Sequence, residues 1–237
     1  MPVEFLGSDW DGTLIVDKDV GKLWKRVGFD LLKSSETPSL KRVELGITVV
    51  QLYALSLLYK RGLIGYDRVY GIYNRRVLSD TPVDVIAASI DKYIEKAVHR
   101  VDVETIRAIQ NHDCKRFILS AGVDYAIRRL LERVDAAQLF SYIMANPLVA
   151  SGNGSRFELR VNRNKGEILQ RFAQERGYDL GRTGYAGDSE DDEPCFRMVR
   201  YPIVSRFAPE SFKEKWAREG AYVIENAADF SRFLAKA

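Results

Sequence analysis

The 237-residue sequence predicts an α/β fold: a three-layer, Rossmann-like core built on a parallel sheet, with an all-helical cap domain inserted into it. Three observations carry this reading. A short apolar run from Val3 to Ser8 ends in a carboxylate, Asp9. The 88 residues from Val16 to Val103 then show apolar spacing of helical period, with no β-alternation to interrupt it. After residue 103, strand-like and helix-like runs alternate, the pattern of a parallel sheet covered by helices on both faces. The expected domains are residues 1–15 with 106–237 for the core, and 16–105 for the helical cap.

Taken in order, residues 3–8 give the first strand. In the cap, Val20 to Lys33 places Leu23, Trp24, Val27, Leu31 and Leu32 at helical spacing. Pro38 opens a longer helix to Lys60, closed by Arg61-Gly62. Tyr66 to Leu78 and Pro82 to Val98 supply two more, the last with Val85, Ile86, Ile90, Tyr93 and Ile94 on one face. In the core, strands are expected at 116–119, 140–145, 183–186, 202–205 and 222–224. Helices are expected at 124–133, 165–176, 191–199, 210–218 and 227–235. Residues 149–161 read as a hairpin turning at Ser151-Gly152-Asn153-Gly154.

Composition excludes several classes. With 46% hydrophobic and 29% charged residues the chain can bury a core without disulfides or a structural metal. No apolar run approaches the roughly 18 residues of a membrane span, and residues 1–10 lack the features of a secretory leader. Cys114 and Cys195 lie far apart without metal-binding spacing, and read as two buried thiols of a cytoplasmic protein. A net charge of +3 is too small to imply nucleic-acid binding. All of that excess lies in residues 16–105, which hold 15 Lys/Arg against 12 Asp/Glu. With only His99 and His112 available, acid/base work falls to carboxylates.

In such a sheet, ligands bind beyond the carboxyl ends of the strands. The residues expected there are Asp9, Asp11, Gly12 and Thr13, then Ser120-Ala121-Gly122, then Gly187-Asp188 through Asp192, with Lys165 opening the preceding helix. Carboxylates that converge repel one another unless a cation compensates. Hard oxygen donors without histidine or thiolate suit Mg²⁺. A lysine, a hydroxyl and backbone N–H groups beside them suit a phosphoryl group.

These residues carry a family resemblance. Asp9-Trp10-Asp11-Gly12-Thr13-Leu14 is similar to the first motif of the haloacid dehalogenase superfamily. Ser120, Lys165 and Gly187-Asp188-Ser189-Glu190-Asp191-Asp192 resemble its second, third and fourth motifs, in the right order. The resemblance implies that Asp9 is the nucleophile of an aspartyl-phosphate mechanism and that Asp11 is its acid and base. It implies phosphoryl binding by Thr13, Ser120, Ala121, Gly122 and Lys165, and Mg²⁺ binding by Asp9, the Asp11 carbonyl, Asp188 and Asp192. An aspartate at position 11 favours phosphoryl transfer over dehalogenation. Ala145-Asn146-Pro147-Leu148, the hairpin and Lys165-Gly166-Glu167 resemble the phosphoserine-phosphatase-like branch. Two departures stand out. Lys18 occupies the position of an ammonium-binding glutamate, which makes it a candidate substrate contact, and Ser120-Ala121-Gly122 replaces a double glycine.

The reading that follows is a Mg²⁺-dependent phosphatase of a small phosphorylated metabolite. A phosphotransferase or mutase of the same chemistry is an alternative, and a catalytically idle binding module is another. Simpler structural roles compete at single positions. Ser189 with an acidic first turn is also a good helix N-cap. Arg75-Arg76 and Tyr53, Tyr59, Tyr66, Tyr70 and Tyr73 read as bundle surface and core. Lys165 at a helix N-terminus opposes the macrodipole preference for acids there, which favours a functional role.

Overall fold

The computed structural model describes residues 3–16, 20–33, 39–60 and 66–236. Its strands are β1 (Phe5–Ser8), β2 (Lys115–Val123), β3 (Tyr142–Asn146), β4 (Leu148–Ser151), β5 (Gly154–Phe157), β6 (Thr183–Gly187), β7 (Tyr201–Val204) and β8 (Tyr222–Val223). Six of them form one parallel sheet of order β3-β2-β1-β6-β7-β8. The other two, β4 and β5, pair antiparallel as the expected hairpin. Strand order reverses at β1, so the crevice of the sheet opens beyond Ser8.

Successive side chains alternate across each strand. Phe5, Phe117, Leu119, Tyr185 and Val204 pack under helices α7 (Lys165–Arg176), α8 (Glu193–Phe196) and α9 (Glu210–Arg218). Leu6, Ile118, Ala186 and Ile203 pack under α5 (Val103–Gln110), α6 (Asp124–Arg133) and α10 (Ala227–Lys236). This is the three-layer core that the alternation implied. Helix α5 is an addition: sequence periodicity did not mark it, and the expected boundary at residue 105 falls inside it. Asp102 caps it by accepting from the Thr105 N–H at 3.1 Å, and it packs on α10 of the core.

The inserted segment is helical where described: α1 (Val20–Lys33), α2 (Ser39–Lys60), α3 (Tyr66–Tyr73) and α4 (Val83–Ala97). Helix α3 runs on as a π-turn over Asn74–Leu78. The hairpin belongs to this layer by contact. Phe157 is 2% exposed and lies against Trp24, ring centroids 4.3 Å apart, with Tyr70 and Tyr73 beside it. Asn74 exchanges two hydrogen bonds with the Phe157 backbone, at 2.8 and 2.9 Å. The Ser155 hydroxyl donates to the Thr81 carbonyl at 2.8 Å. Gly154 passes so close that a Cβ there would lie 2.1 Å from the Ser79 carbonyl oxygen.

Two chain crossings connect the insert to the core, and they run side by side. Val16 N–H donates to the Arg100 carbonyl at 2.9 Å, Asp102 N–H donates to the Leu14 carbonyl at 2.8 Å, and Ile15 pairs with Val101. Among the described residues no helix is long and apolar enough to cross a membrane. Both cysteines are free; Cys195 is buried as expected, whereas Cys114 is only half-buried.

Candidate active site

Asp9 stands one residue beyond β1, its N–H still bonded to the Ala186 carbonyl of β6 at 2.8 Å. The sheet therefore fixes where the carboxylate leaves. The chain then turns tightly, the Trp10 carbonyl accepting from the N–H groups of Thr13, Leu14 and Ile15 at 3.2, 3.0 and 3.1 Å. Gly12 makes the turn possible. Its φ is +74°, and a Cβ there would lie 2.4 Å from Asp188 Oδ2. Asp188 thus approaches the first loop through the space a side chain would fill.

Lys165, from the first turn of α7, reaches the same point and is 2% exposed. Its ammonium lies 3.0 Å from Asp9 Oδ2 and 2.7 Å from Asp192 Oδ1. Burial opposes the lysine charge, but the Asp192 and Asp9 carboxylates outweigh it and hold the pKa above the usual lysine value. Burial pushes the Asp9 carboxyl up to about 6, with Lys165 pulling it down and Asp192 adding to the rise. Among the described residues, Asp9 and Asp192 together carry more negative charge than the Lys165 ammonium between them neutralises.

Strand β2 runs through Ser120-Ala121-Gly122 rather than ending before them, with an irregular register against β3 between Leu119 and Val123. The Ser120 hydroxyl accepts from the Gly122 N–H at 3.1 Å. A Cβ on Gly122 would lie 3.4 Å from Asp11 Oδ2, which places the Asp11 carboxylate against this loop. The Ala121 carbonyl accepts from the Asn146 amide at 2.8 Å and from the Tyr70 hydroxyl at 3.3 Å. Tyr70, read from sequence as bundle core, is indeed buried and also carries a contact from the insert to this edge of the sheet.

Asp192 is fully buried and heavily bonded. Oδ1 accepts from Lys165 and from the Tyr185 hydroxyl at 3.2 Å; Oδ2 accepts from the N–H groups of Asp188 and Ser189 at 3.0 and 3.3 Å. Ser189 and Asp192 also form a capping box, so the N-cap reading of this segment holds alongside any chemistry. Asp9, Asp188 and Asp192 present carboxylate oxygens all within 4.8 Å of one another. The donor set is entirely hard oxygen, and Asp9 Oδ1 is buried with no hydrogen-bond partner. These residues fit a divalent cation such as Mg²⁺. The Thr13 hydroxyl is likewise buried without a partner.

The structure thus brings Asp9, Asp11, Ser120, Ala121, Gly122, Lys165, Asp188 and Asp192 to one edge. Lys18 lies outside the described residues. Sequence reasoning missed Tyr185, Ser205 and Arg206. The Ser205 hydroxyl donates to the Gly12 carbonyl at 2.8 Å, and Arg206 pairs with buried Asp102 at 2.8 Å. Both follow β7 directly, at the edge where the other site residues were sought. That position was the available signal.

Comparison with known proteins agrees with this geometry. Residues 6–197 match the family model described as haloacid dehalogenase-like hydrolase. A phosphoserine phosphatase of Methanocaldococcus jannaschii is 28% identical over 138 residues, 54% of this chain and 59% of that protein. The matched stretch therefore spans less than two thirds of that relative. Among solved structures, a substrate-bound phosphoserine phosphatase complex is similar with a TM-score of 0.58 and 20% identity, over 96% of this chain and 95% of the other. A phospho-aspartyl intermediate analogue of phosphoserine phosphatase gives 0.58 and 21%, over 95% of each chain. A probable phosphoserine phosphatase from Vibrio cholerae gives 0.63 and 12%, over 98% of this chain and 66% of that one. With the family model covering most of its length, and four motifs on one sheet edge, this chain belongs to the haloacid dehalogenase-like hydrolases.

Proposed function

We propose that the protein is a Mg²⁺-dependent phosphatase that hydrolyses a small phosphorylated metabolite through an aspartyl-phosphate. The observation that carries this is the state of Asp9: one carboxylate oxygen is held by Lys165 at 3.0 Å, and the other is buried without a hydrogen-bond partner. A buried, aimed and unsatisfied carboxylate is a nucleophile waiting for an electrophile or a cation.

In this reading an Asp9 oxygen attacks phosphorus, the bond to the leaving oxygen breaks, and Asp11 gives that oxygen a proton. Asp11 then takes a proton from the water that attacks the acyl-phosphate, releasing phosphate and restoring Asp9. Ser120, the Gly122 region and Lys165 hold the phosphoryl oxygens, whose charge is spread over three atoms. The Asp9 and Asp188 carboxylates and the Asp11 carbonyl would hold Mg²⁺, which supplies positive charge against the phosphoryl group and the crowded carboxylates. Asp192, ringed by five donors counting the Ser189 hydroxyl at 3.4 Å, aims Lys165 and the Asp188 loop and stands beside the cation's position.

Discrimination between substrates falls to the insert, because the core residues meet only groups common to every phosphate ester. Lys18, standing where amino-acid phosphatases carry an ammonium-binding glutamate, favours neutral or acidic leaving groups over phosphoserine. The test is turnover of an aryl phosphate with and without Mg²⁺, followed by a metabolite panel that includes phosphoserine. No Mg²⁺-dependent release of phosphate by the purified protein, or full activity in Asp9→Asn, sinks the proposal. A preference for phosphoserine across the panel sinks the Lys18 reading alone.

A further inference from the structure

We propose that the Tyr185 hydroxyl is a positioning group for phosphoryl transfer: it locks Asp192 in the orientation that aims Lys165 at Asp9. The proposal rests on the phosphatase reading above. Tyr185 lies in the middle of β6 and is fully buried, where the sheet requires only a large apolar ring. Its hydroxyl nonetheless sits among the site residues, 3.2 Å from Asp192 Oδ1 and 3.1 Å from the Leu119 carbonyl. Asp192 Oδ1 is the same atom that accepts from the Lys165 ammonium at 2.7 Å.

The geometry makes one hydroxyl a junction of all four motifs. Leu119 immediately precedes Ser120; Asp192 closes the fourth motif; Lys165 is the third; and Lys165 reaches Asp9 of the first at 3.0 Å. A phenol placed here is more than a satisfied core tyrosine. The Leu119 carbonyl alone would meet its hydrogen-bonding need, and a phenylalanine would fill the same volume. The ring cannot drift, because β1 passes so close that a Cβ on Gly7 would lie 2.8 Å from Tyr185 Cδ2. A fixed ring gives a fixed hydroxyl, and a fixed hydroxyl denies the Asp192 carboxylate one of its rotations. Without the phenol, Oδ1 keeps only the lysine while Oδ2 stays on the Asp188 and Ser189 N–H groups, so the carboxylate can rock about that anchor and carry Lys165 off its line to Asp9.

The thiol of Cys195 is buried in the same apolar cluster as the Tyr185 ring. It shares that packing, whereas Lys165 is held by Asp9 and Asp192. It therefore serves as a control for packing.

The test uses Tyr185→Phe and Cys195→Ala, each assayed on an aryl phosphate beside the unmodified enzyme. Loss of one hydrogen bond to a charged, catalytically aimed pair should lower kcat about tenfold in Tyr185→Phe. KM should stay within about twofold and Tm within a few degrees, while Cys195→Ala should keep its kcat. A kcat for Tyr185→Phe within twofold of the unmodified enzyme overturns the proposal. So does an equal loss in both variants, which would mark a packing effect. A second measurement needs no turnover: urea denaturation of Tyr185→Phe, Lys165→Met and the double variant. Non-additive shifts support the coupling through Asp192, and additive ones overturn it. Failure of the unmodified protein to hydrolyse any phosphate ester would instead count against the phosphatase reading, and the denaturation cycle still decides the role of Tyr185.

Discussion

Replacing Asp9 with asparagine separates the electrostatic cost of the site from its chemistry. In the folded chain the Asp9 carboxyl rises from 3.8 to about 6, chiefly through burial, with Lys165 pulling against the rise. A carboxyl that holds its proton more tightly when folded gives stability that is full below pH 3.8 and is lost as the pH climbs through 6. At roughly 1.36 kcal/mol per pH unit, the span from 3.8 to 6 is worth about 3 kcal/mol. Asparagine has no proton to lose at these pH values, so it escapes the penalty. It leaves Lys165 with Asp192 alone, but the protonated carboxyl does the same, so the growth of the gap with pH is the quantity to read. Thermal denaturation in chelator at pH 4, 5, 6 and 7 should show Asp9→Asn gaining on the unmodified chain. The gain should level off above pH 6 at about 6–12 °C for a chain of this size. Mg²⁺ should narrow it, because a cation that binds only the folded, ionised form stabilises that form. Parallel pH curves for the two proteins would refute the reasoning, whatever happened to activity.

Other expectations follow from the same geometry. Lys165→Met should lower kcat by about 10²–10³-fold with little change in KM, read by steady-state kinetics, since it removes the one ammonium between Asp9 and Asp192. Gly12→Ala should weaken Mg²⁺ activation several-fold in a metal titration, because its Cβ meets Asp188 Oδ2 at 2.4 Å and its φ of +74° disfavours a side chain. Phe157→Ala should cost about 3–5 kcal/mol in urea denaturation, since it empties the aromatic contact between the hairpin and Trp24.

Much of this molecule was readable as sequence because its signals are local. Helix α7 begins at Lys165 and stops at Gly177, whose φ of +68° is the left-handed C-cap that the Arg176-Gly177 pair announces. Helices α6 and α9 also fall on the expected residues, marked by apolar side chains at helical spacing. The clustered carboxylates were legible because Asp9 and Asp188 stand directly beyond strand ends, where the α/β pattern itself says to look, with Asp192 one turn further on. What escaped depends on distant neighbours. Helix α5 shows only Ile106 and Ile109 as a clear apolar pair, and its partner α10 lies at the other end of the chain. The hairpin joins the insert through the Phe157 backbone and the Asn74 amide, an agreement between residues 83 apart in sequence. Tyr185 gains its role only when β2 and β6 flank β1 and bring Leu119 and Asp192 to one phenol.

The paired crossings at Leu14–Val16 and Arg100–Asp102 also say something about how such a chain arises and how it can be rebuilt. Entry and exit of the insert are tied together by two backbone hydrogen bonds, Val16 N–H to the Arg100 carbonyl and Asp102 N–H to the Leu14 carbonyl. A segment whose ends meet can be removed or exchanged without breaking the register of the sheet, like a cartridge in a fixed socket. The socket has a keyway, Ser205 on Gly12 and Arg206 on Asp102, which any replacement sequence would have to fit. The cartridge also comes in two pieces. Residues 148–157 leave the core elsewhere, yet bury Phe157 and Gly154 against the inserted helices. A chimera that borrows a relative's helices while keeping this hairpin would join surfaces never selected for one another. Substrate preference should transfer between relatives only when both pieces travel together.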